Sequence, residues 1–136
     1  SISDYDRITE LWKRAKLPFR PQGRDRREAV VAEMRKNPDF FLGAFDADNL
    51  VGVVILSCDL RKGWINRLAV DPLYRQRGIA KVLIEHSEKA LRRHGVRLLC
   101  ALIDEDNHAS KNLFRKCGYT EHHDIIYFSK RDNSEV

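Results

Sequence analysis

The dipeptide Asp71-Pro72 divides the stretch Trp64 to Gly95, WINRLAVDPLYRQRGIAKVLIEHSEKALRRHG, into two periodicities. Ahead of it, Trp64, Ile65, Leu68, Ala69 and Val70 make a mostly apolar run. The proline stops that run, because it cannot donate to a sheet ladder and restricts the residue before it. After Arg75, Gln76, Arg77 and Gly78, apolar groups at Ile79, Val82, Leu83 and Ala90, joined by His86, take the spacing of one helical face. Arg92, Arg93 and His94 in the last turn, followed by Gly95, end that helix with favourable dipole charges and a left-handed cap.

The short basic loop therefore opens onto a helix N-terminus, which offers unpaired backbone N–H groups and a partial positive charge. Gly78 removes the Cβ that would hold a ligand off the backbone. With Arg75, Arg77 and Lys81 alongside, the loop suits a polyanion, most simply a pyrophosphate. The spacing alone fits a solvated basic turn equally well. The loop is neither a Walker loop nor a G-x-G-x-x-G turn.

On the N-terminal side, Ser3 is a candidate N-cap, with Asp4 and Asp6 in the first turn, for a helix presenting Ile8, Leu11, Trp12 and Ala15 and ending near Lys16. Leu17 to Gly23 holds two prolines and a glycine and reads as a loop. Asp25 is placed to cap a second helix carrying Val30, Val31 and Met34, which Asn37-Pro38 terminates. Phe40 to Phe45 and Leu50 to Ser57 flank the turn-forming cluster Asp46-Ala47-Asp48-Asn49, so with the Trp64 strand they predict an antiparallel meander.

Beyond the long helix, Val96 and Leu98 to Ile103 form a nearly continuous apolar run, as expected for a strand covered on both faces. Strand, helix and strand joined by short links predict a parallel pair and a right-handed crossover. Ala109, Leu113 and Phe114 predict a short helix closed by Gly118. Tyr119 to His122 and Ile125 to Ser129 are expected as final strands, and Lys130 to Val136 as a fraying polar tail. The 136 residues fit one domain.

Arg75-Gln76-Arg77-Gly78-Ile79-Ala80 resembles the R/Q-x-x-G-x-G/A signature of the GNAT superfamily of N-acetyltransferases, and Leu68-Ala69-Val70-Asp71-Pro72 resembles the strand end that precedes it there. Asn107 to Tyr119, NHASKNLFRKCGY, is similar to the family's second signature. The resemblance implies an α/β fold of α+β type: a mixed sheet of about six strands, a splayed central parallel pair and helices on both faces. It implies acetyl-coenzyme A as co-substrate. Arg75, Gln76, Arg77, Gly78, Ile79, Ala80 and Lys81 would hold its pyrophosphate, and Val70, next to Ala69, would bond the pantetheine. Asn107, Asn112 and Phe114 would lie along the cofactor's arm, and the amide N–H of Leu68 would face the thioester oxygen. Turn and cap chemistry accounts equally for the two asparagines. Members of the family usually begin with a strand before the first helix, whereas only Ser1 and Ile2 precede it here, which implies that the first strand is missing or truncated, or supplied differently. The two N-terminal helices and their loop correspond to the family's variable acceptor side.

The acid and base groups depart from the family pattern. Phe114 stands where many relatives have a tyrosine that serves as general acid, and Asn66 replaces a frequent glutamate on the central strand. Tyr127, on the expected last strand, is the candidate acid, with packing as its alternative. His122 and His123 are adjacent on an expected strand and so point to opposite faces, which argues against a metal. Cys117 as an acyl-accepting nucleophile lacks a nearby base.

The expected function is direct transfer of acetyl to a primary amine of a small molecule or protein, and a homodimer is compatible with it. The alternative is a coenzyme-A-binding sensor or partner-binding module. Twenty-five basic and 20 acidic residues are interspersed without a block of five or more like charges, so nucleic acid is not the expected partner. No apolar run reaches membrane-spanning length, and the odd count of cysteines, Cys58, Cys100 and Cys117, fits a reducing compartment. A cytoplasmic location is the expectation.

Overall fold

The computed structural model describes residues 3–134 and 136. Among them, four strands form one open sheet in the order β1 (Phe41–Asp46), β2 (Asn49–Cys58), β3 (Lys62–Val70) and β4 (Leu98–Cys100). The first three make an antiparallel meander, and β4 lies parallel to β3. Helices α1 (Asp4–Arg14) and α2 (Arg27–Lys36) precede the sheet, α3 (Ile79–Arg93) links β3 to β4, and α4 (His108–Lys116) follows. None of these helices is long and apolar enough to cross a membrane.

Alternation along β2 divides the interior between two faces. Val53 and Ile55 pack with Ala69 against Ile8, Leu11 and Trp12 of α1. Val54 and Leu56 pack with Ile65 against Leu83, Ile84, Ala90 and Leu91 of α3 and Phe114 of α4. Each large apolar side chain buried in this way contributes roughly 1.5–3 kcal/mol, so three residues of one turn and a half are enough to seat α1. Gly52 brings α3 close to the sheet, since a Cβ there would lie 3.0 Å from both Ile79 and Leu83.

Local signals explain the helix ends. The Ser3 hydroxyl accepts from the Asp6 N–H at 3.2 Å and caps α1, as its sequence suggests. Gly95 and Gly118 follow α3 and α4 at φ 85° and 93°, in the left-handed region that favours glycine. Three expectations need correction. Arg26 rather than Asp25 occupies the N-cap of α2. The buried face of α3 is Leu83, Ile84, Ser87, Ala90 and Leu91, while Val82 and His86 face outward. Here the tertiary surface decided between two equally periodic faces.

The third correction concerns the number of strands, which among the described residues is four and not about six. The run from Val96 to Ile103 narrows to the three residues of β4, and no strand forms over Tyr119 to His122 or Ile125 to Ser129. Ile125, Ile126, Tyr127 and Phe128 are 70, 76, 66 and 88% exposed. Their apolar character reads as a strand, but a ladder needs a partner edge, and β4 offers only three residues. The expectation of a missing or truncated first strand falls on Ser1 and Ile2, which lie outside the described residues.

Candidate functional site

The parallel pairing of β3 with β4 runs only from Lys62 to Trp64, opposite Leu98 to Cys100. Past that point β3 stays with β2 while the chain after β4 leaves it, so the sheet opens between them towards the C-terminal end of β3. In α/β sheets that end is where ligands bind. At the same end β3 carries a bulge. Val53 pairs with Ala69 and Ile55 with Asn66, which leaves Arg67 and Leu68 together opposite Val54. Arg67 takes φ 55° to make the bulge, a left-handed conformation that costs a non-glycine residue about 1–2 kcal/mol.

Contacts of the Arg67 side chain offset that cost. Its Nη2 donates to both carboxylate oxygens of Asp25, at 2.8 and 2.9 Å, and its guanidinium lies 4.9 Å from the centroid of the Trp12 ring. Asp25 is 5% exposed. It also accepts the Arg20 N–H at 2.6 Å, and its own carbonyl accepts the Tyr5 hydroxyl at 2.7 Å. The loop after α1 is therefore fastened directly to the bulge. Glu33 of α2 stands in the field of Arg67 and Asp25, and partial burial raises its carboxyl above the usual range.

Beyond Val70, Asp71 holds the chain in place. Its carboxylate accepts the Leu73 N–H at 2.9 Å and the Arg14 Nε at 2.9 Å. Tyr74 ends the resulting turn of 3-10 helix (Pro72–Tyr74). Gln76 and Gly78 both adopt positive φ, 63° and 80°, and Gly78 becomes the N-cap of α3 without any side-chain capping bond. The hydrogen bond from Val82 N–H to the Gly78 carbonyl opens the helical ladder. The N–H groups of Ile79, Ala80 and Lys81 therefore have no intrahelical partner. A Cβ built on Gly78 would meet nothing within 4 Å. Arg75 and Lys81 are exposed, and the Arg77 guanidinium lies 4.9 Å from the centroid of the Tyr74 ring. The arrangement suits an anion with several oxygens: an open helix mouth, unpaired amides and basic side chains around it.

The residues expected along the cofactor's arm are distributed differently. Leu68 is half-buried on the bulge, with Ala69 and Val70 buried beyond it. Asn107 caps α4, its side-chain oxygen accepting the Ser110 N–H at 3.1 Å, so the cap reading of this residue holds. Asn112 is exposed and accepts from Arg115 at 2.9 Å. Phe114 is 6% exposed and belongs to the core under α3. Asn66 donates to the Ser57 hydroxyl at 3.1 Å. Tyr127 stands exposed on the strandless run, so the apolar strand that recommended it is absent.

Sequence reasoning passed over three groups. Arg67 was a lone cation in an apolar strand, which was a usable signal. Glu33 carried none. Tyr119 meets the ring of Phe114 edge-on at 5.0 Å and donates to Glu88 Oε2 at 2.7 Å. Burial and that hydrogen bond raise its hydroxyl well above the usual tyrosine range. Cys117, at the C-cap of α4, has its thiol pushed up by burial, which weakens it as a nucleophile.

The model of the Acetyltransferase (GNAT) family matches residues 5–119. An acetyltransferase of Photorhabdus laumondii is 33% identical over 129 residues, covering 94% of this chain and 89% of its own length. The PaiA N-acetyltransferase of Thermoplasma acidophilum, solved with coenzyme A, superposes with a TM-score of 0.74 at 19% identity over 84% of this chain and 82% of that one. The ribosomal-protein-S18-alanine N-acetyltransferase of Escherichia coli superposes with a TM-score of 0.69 at 22% identity over 90% and 75%.

Proposed function

Because the chain belongs to the GNAT acetyltransferase family and is accordingly an acyltransferase, we propose that it binds acetyl-coenzyme A in the opening between β3 and β4 and moves the acetyl group directly to a primary amine. One observation carries this reading: the uncapped amides behind Gly78 stand at the same end of the sheet where β3 and β4 separate. A diphosphate held at the helix mouth leaves a slender arm free to enter the gap.

Acetyl-coenzyme A supplies an activated thioester when bound. The chain's own groups do the rest. The amides of Ile79 to Lys81, with Arg75, Gln76, Arg77 and Gly78, hold the diphosphate. Ala69 and Val70 continue the strand along which the arm pairs. The Leu68 N–H, turned by the bulge, stabilises the charge that develops on the thioester oxygen, a type of contact worth roughly 2.7–4 kcal/mol in other enzymes. Asn107 and Asn112 border the arm from α4, and Phe114 supports it from the core.

Proton handling is the least conventional part. An alkylamine with a pKa near 10.4 arrives mostly protonated at neutral pH. Glu33, whose carboxyl is raised and which stands near the bulge on the acceptor side, is the proton acceptor, a role distinct from that of Tyr127, the candidate acid. The acceptor's own character follows from charge. Arg20, Arg24 and Arg26 are exposed on the loop that meets the bulge, and Asp25, the acid among them, is already committed to Arg67. Such a surface repels polyamines and favours an amine that carries a carboxylate or phosphate of its own.

Calorimetry with acetyl-coenzyme A, followed by thiol release in the presence of carboxylate-bearing amines and of polyamines, tests the reading. Tight binding with release favouring the anionic amines is the expected result. A protein without affinity for coenzyme A would overturn it.

A further inference from the structure

We propose that Arg67 and Asp25 form a positioning strut that sets the direction of the Leu68 amide and locks the acceptor loop against it. The inference rests on the acetyl-transfer reading for its consequence, though not for its geometry.

Arg67 is the residue whose backbone makes the bulge, and the peptide that it shares with Leu68 carries the Leu68 N–H. The torsions of Arg67 therefore aim that amide. A non-glycine residue stays at φ 55° only where its surroundings hold it. What holds Arg67 is visible: two hydrogen bonds to Asp25, the face of Trp12 beneath the guanidinium, and the Pro18 carbonyl at 3.5 Å from Nη1. One nitrogen, Nη2, spans both oxygens of the carboxylate, while Nη1 reaches Pro18 and the guanidinium lies over the Trp12 ring, so the contacts together fix orientation as well as distance.

Asp25 is poorly suited to any other task. Both of its carboxylate oxygens receive Arg67, and Oδ2 also receives the Arg20 amide. Arg24 stands 3.9 Å from the same oxygen. Oδ2 takes two of these hydrogen bonds and Oδ1 one, and the side chain is buried, so Asp25 is committed to Arg67 and the loop. Its role is to join three elements: the loop through Arg20, α1 through Tyr5, and the β3 bulge through Arg67. Glu33 is the other charged group facing the pair.

The strut is distinct from the diphosphate loop, so removing it should separate turnover from cofactor affinity. The experiment compares the wild-type chain with Arg67→Met, Arg67→Lys and Asp25→Asn. Backbone carbon chemical shifts report whether residue 67 keeps its left-handed conformation, calorimetry gives affinity for acetyl-coenzyme A, and thiol release with an amine used by the wild type gives kcat and KM. In Arg67→Met and Asp25→Asn, residue 67 is expected to leave the left-handed region. Their kcat should fall between about tenfold and a hundredfold, with cofactor affinity and its KM unchanged. Arg67→Lys, which keeps the charge but loses the second nitrogen that reaches Pro18 and the guanidinium over Trp12, should recover only part of the loss.

A left-handed residue 67 in folded Arg67→Met, or an unchanged kcat in Asp25→Asn, overturns the strut. If Arg67→Met does not fold, Asp25→Asn decides by the same criteria, since it keeps size and shape. A wild type that fails to bind acetyl-coenzyme A refutes the acetyl-transfer reading instead, and the shifts at residue 67 then decide the strut alone.

Discussion

The Tyr74 hydroxyl donates to Asp46 Oδ2 across 2.6 Å, tying the residue that carries the Arg77 guanidinium to the turn between β1 and β2. That hydrogen bond, more than any other cause, raises the Tyr74 hydroxyl above the ordinary tyrosine range. Two losses can thus be separated. Tyr74→Phe keeps the ring beneath Arg77 and should weaken coenzyme A binding only about twofold to threefold, whereas Tyr74→Ala, which also frees Arg77, should weaken it about tenfold. Calorimetry on both variants checks the order, and equal affinities would show that the stack does not organise the loop.

Gly78 and Gly95 make a matched pair of sites at the two ends of α3. Both have positive φ, 80° and 85°, and an added Cβ meets nothing within 4 Å at either. Alanine at each should therefore cost a similar 1 kcal/mol or so of stability, from backbone strain alone. Only Gly78→Ala should also weaken coenzyme A binding, and Gly78→Val should weaken it more. Denaturant titrations paired with calorimetry separate the effects, and equal affinities in the two alanine variants would contradict the placement of the diphosphate.

Tyr119 gives a pH dependence whose sign is fixed. Burial first, and then the hydrogen bond to Glu88, raise its folded-state pKa above the unfolded value of about 10. Ionisation is then easier in the unfolded chain, so the stability that this residue confers is whole below about pH 10 and declines as pH climbs towards the folded value. Tyr119→Phe should flatten the alkaline limb of the stability curve while costing about 1 kcal/mol at neutral pH. Denaturation midpoints between neutral and strongly alkaline pH would show whether the two curves converge.

Phe114 tests whether a hydroxyl at this position can serve as an acid. Its ring is buried among the residues of the α3 face and contacts Tyr119 edge-on. Phe114→Tyr should lower stability by about 1–3 kcal/mol unless the new hydroxyl finds a partner, and should not raise turnover. Phe114→Ala should cost about 3–5 kcal/mol. A rise in kcat for Phe114→Tyr would mean that this position still looks into the cleft.

What could be read beforehand follows the reach of each signal. Ser3, Gly95 and Gly118 act within a few residues, so their caps were legible, as was the meander through Asp46 to Asn49. The helix mouth was legible too, because a basic loop and its glycine are contiguous. The outward turn of Val82 and His86 was not, since two faces of α3 satisfied the same spacing and only the sheet could choose. Asp25 looked like a helix cap because carboxylates favour that position, but a guanidinium 42 residues away claimed it. Ile125 to Phe128 had the composition of a strand, and composition cannot say whether a partner edge exists.

The tie between positions 25 and 67 also has a consequence for descent. Among the contacts of the arginine the aspartate carries the opposite charge, so a lineage that alters one weakens the reason for keeping the other. Across generations the two positions are expected to mutate jointly or stay fixed together, although nearly a third of the polypeptide separates them.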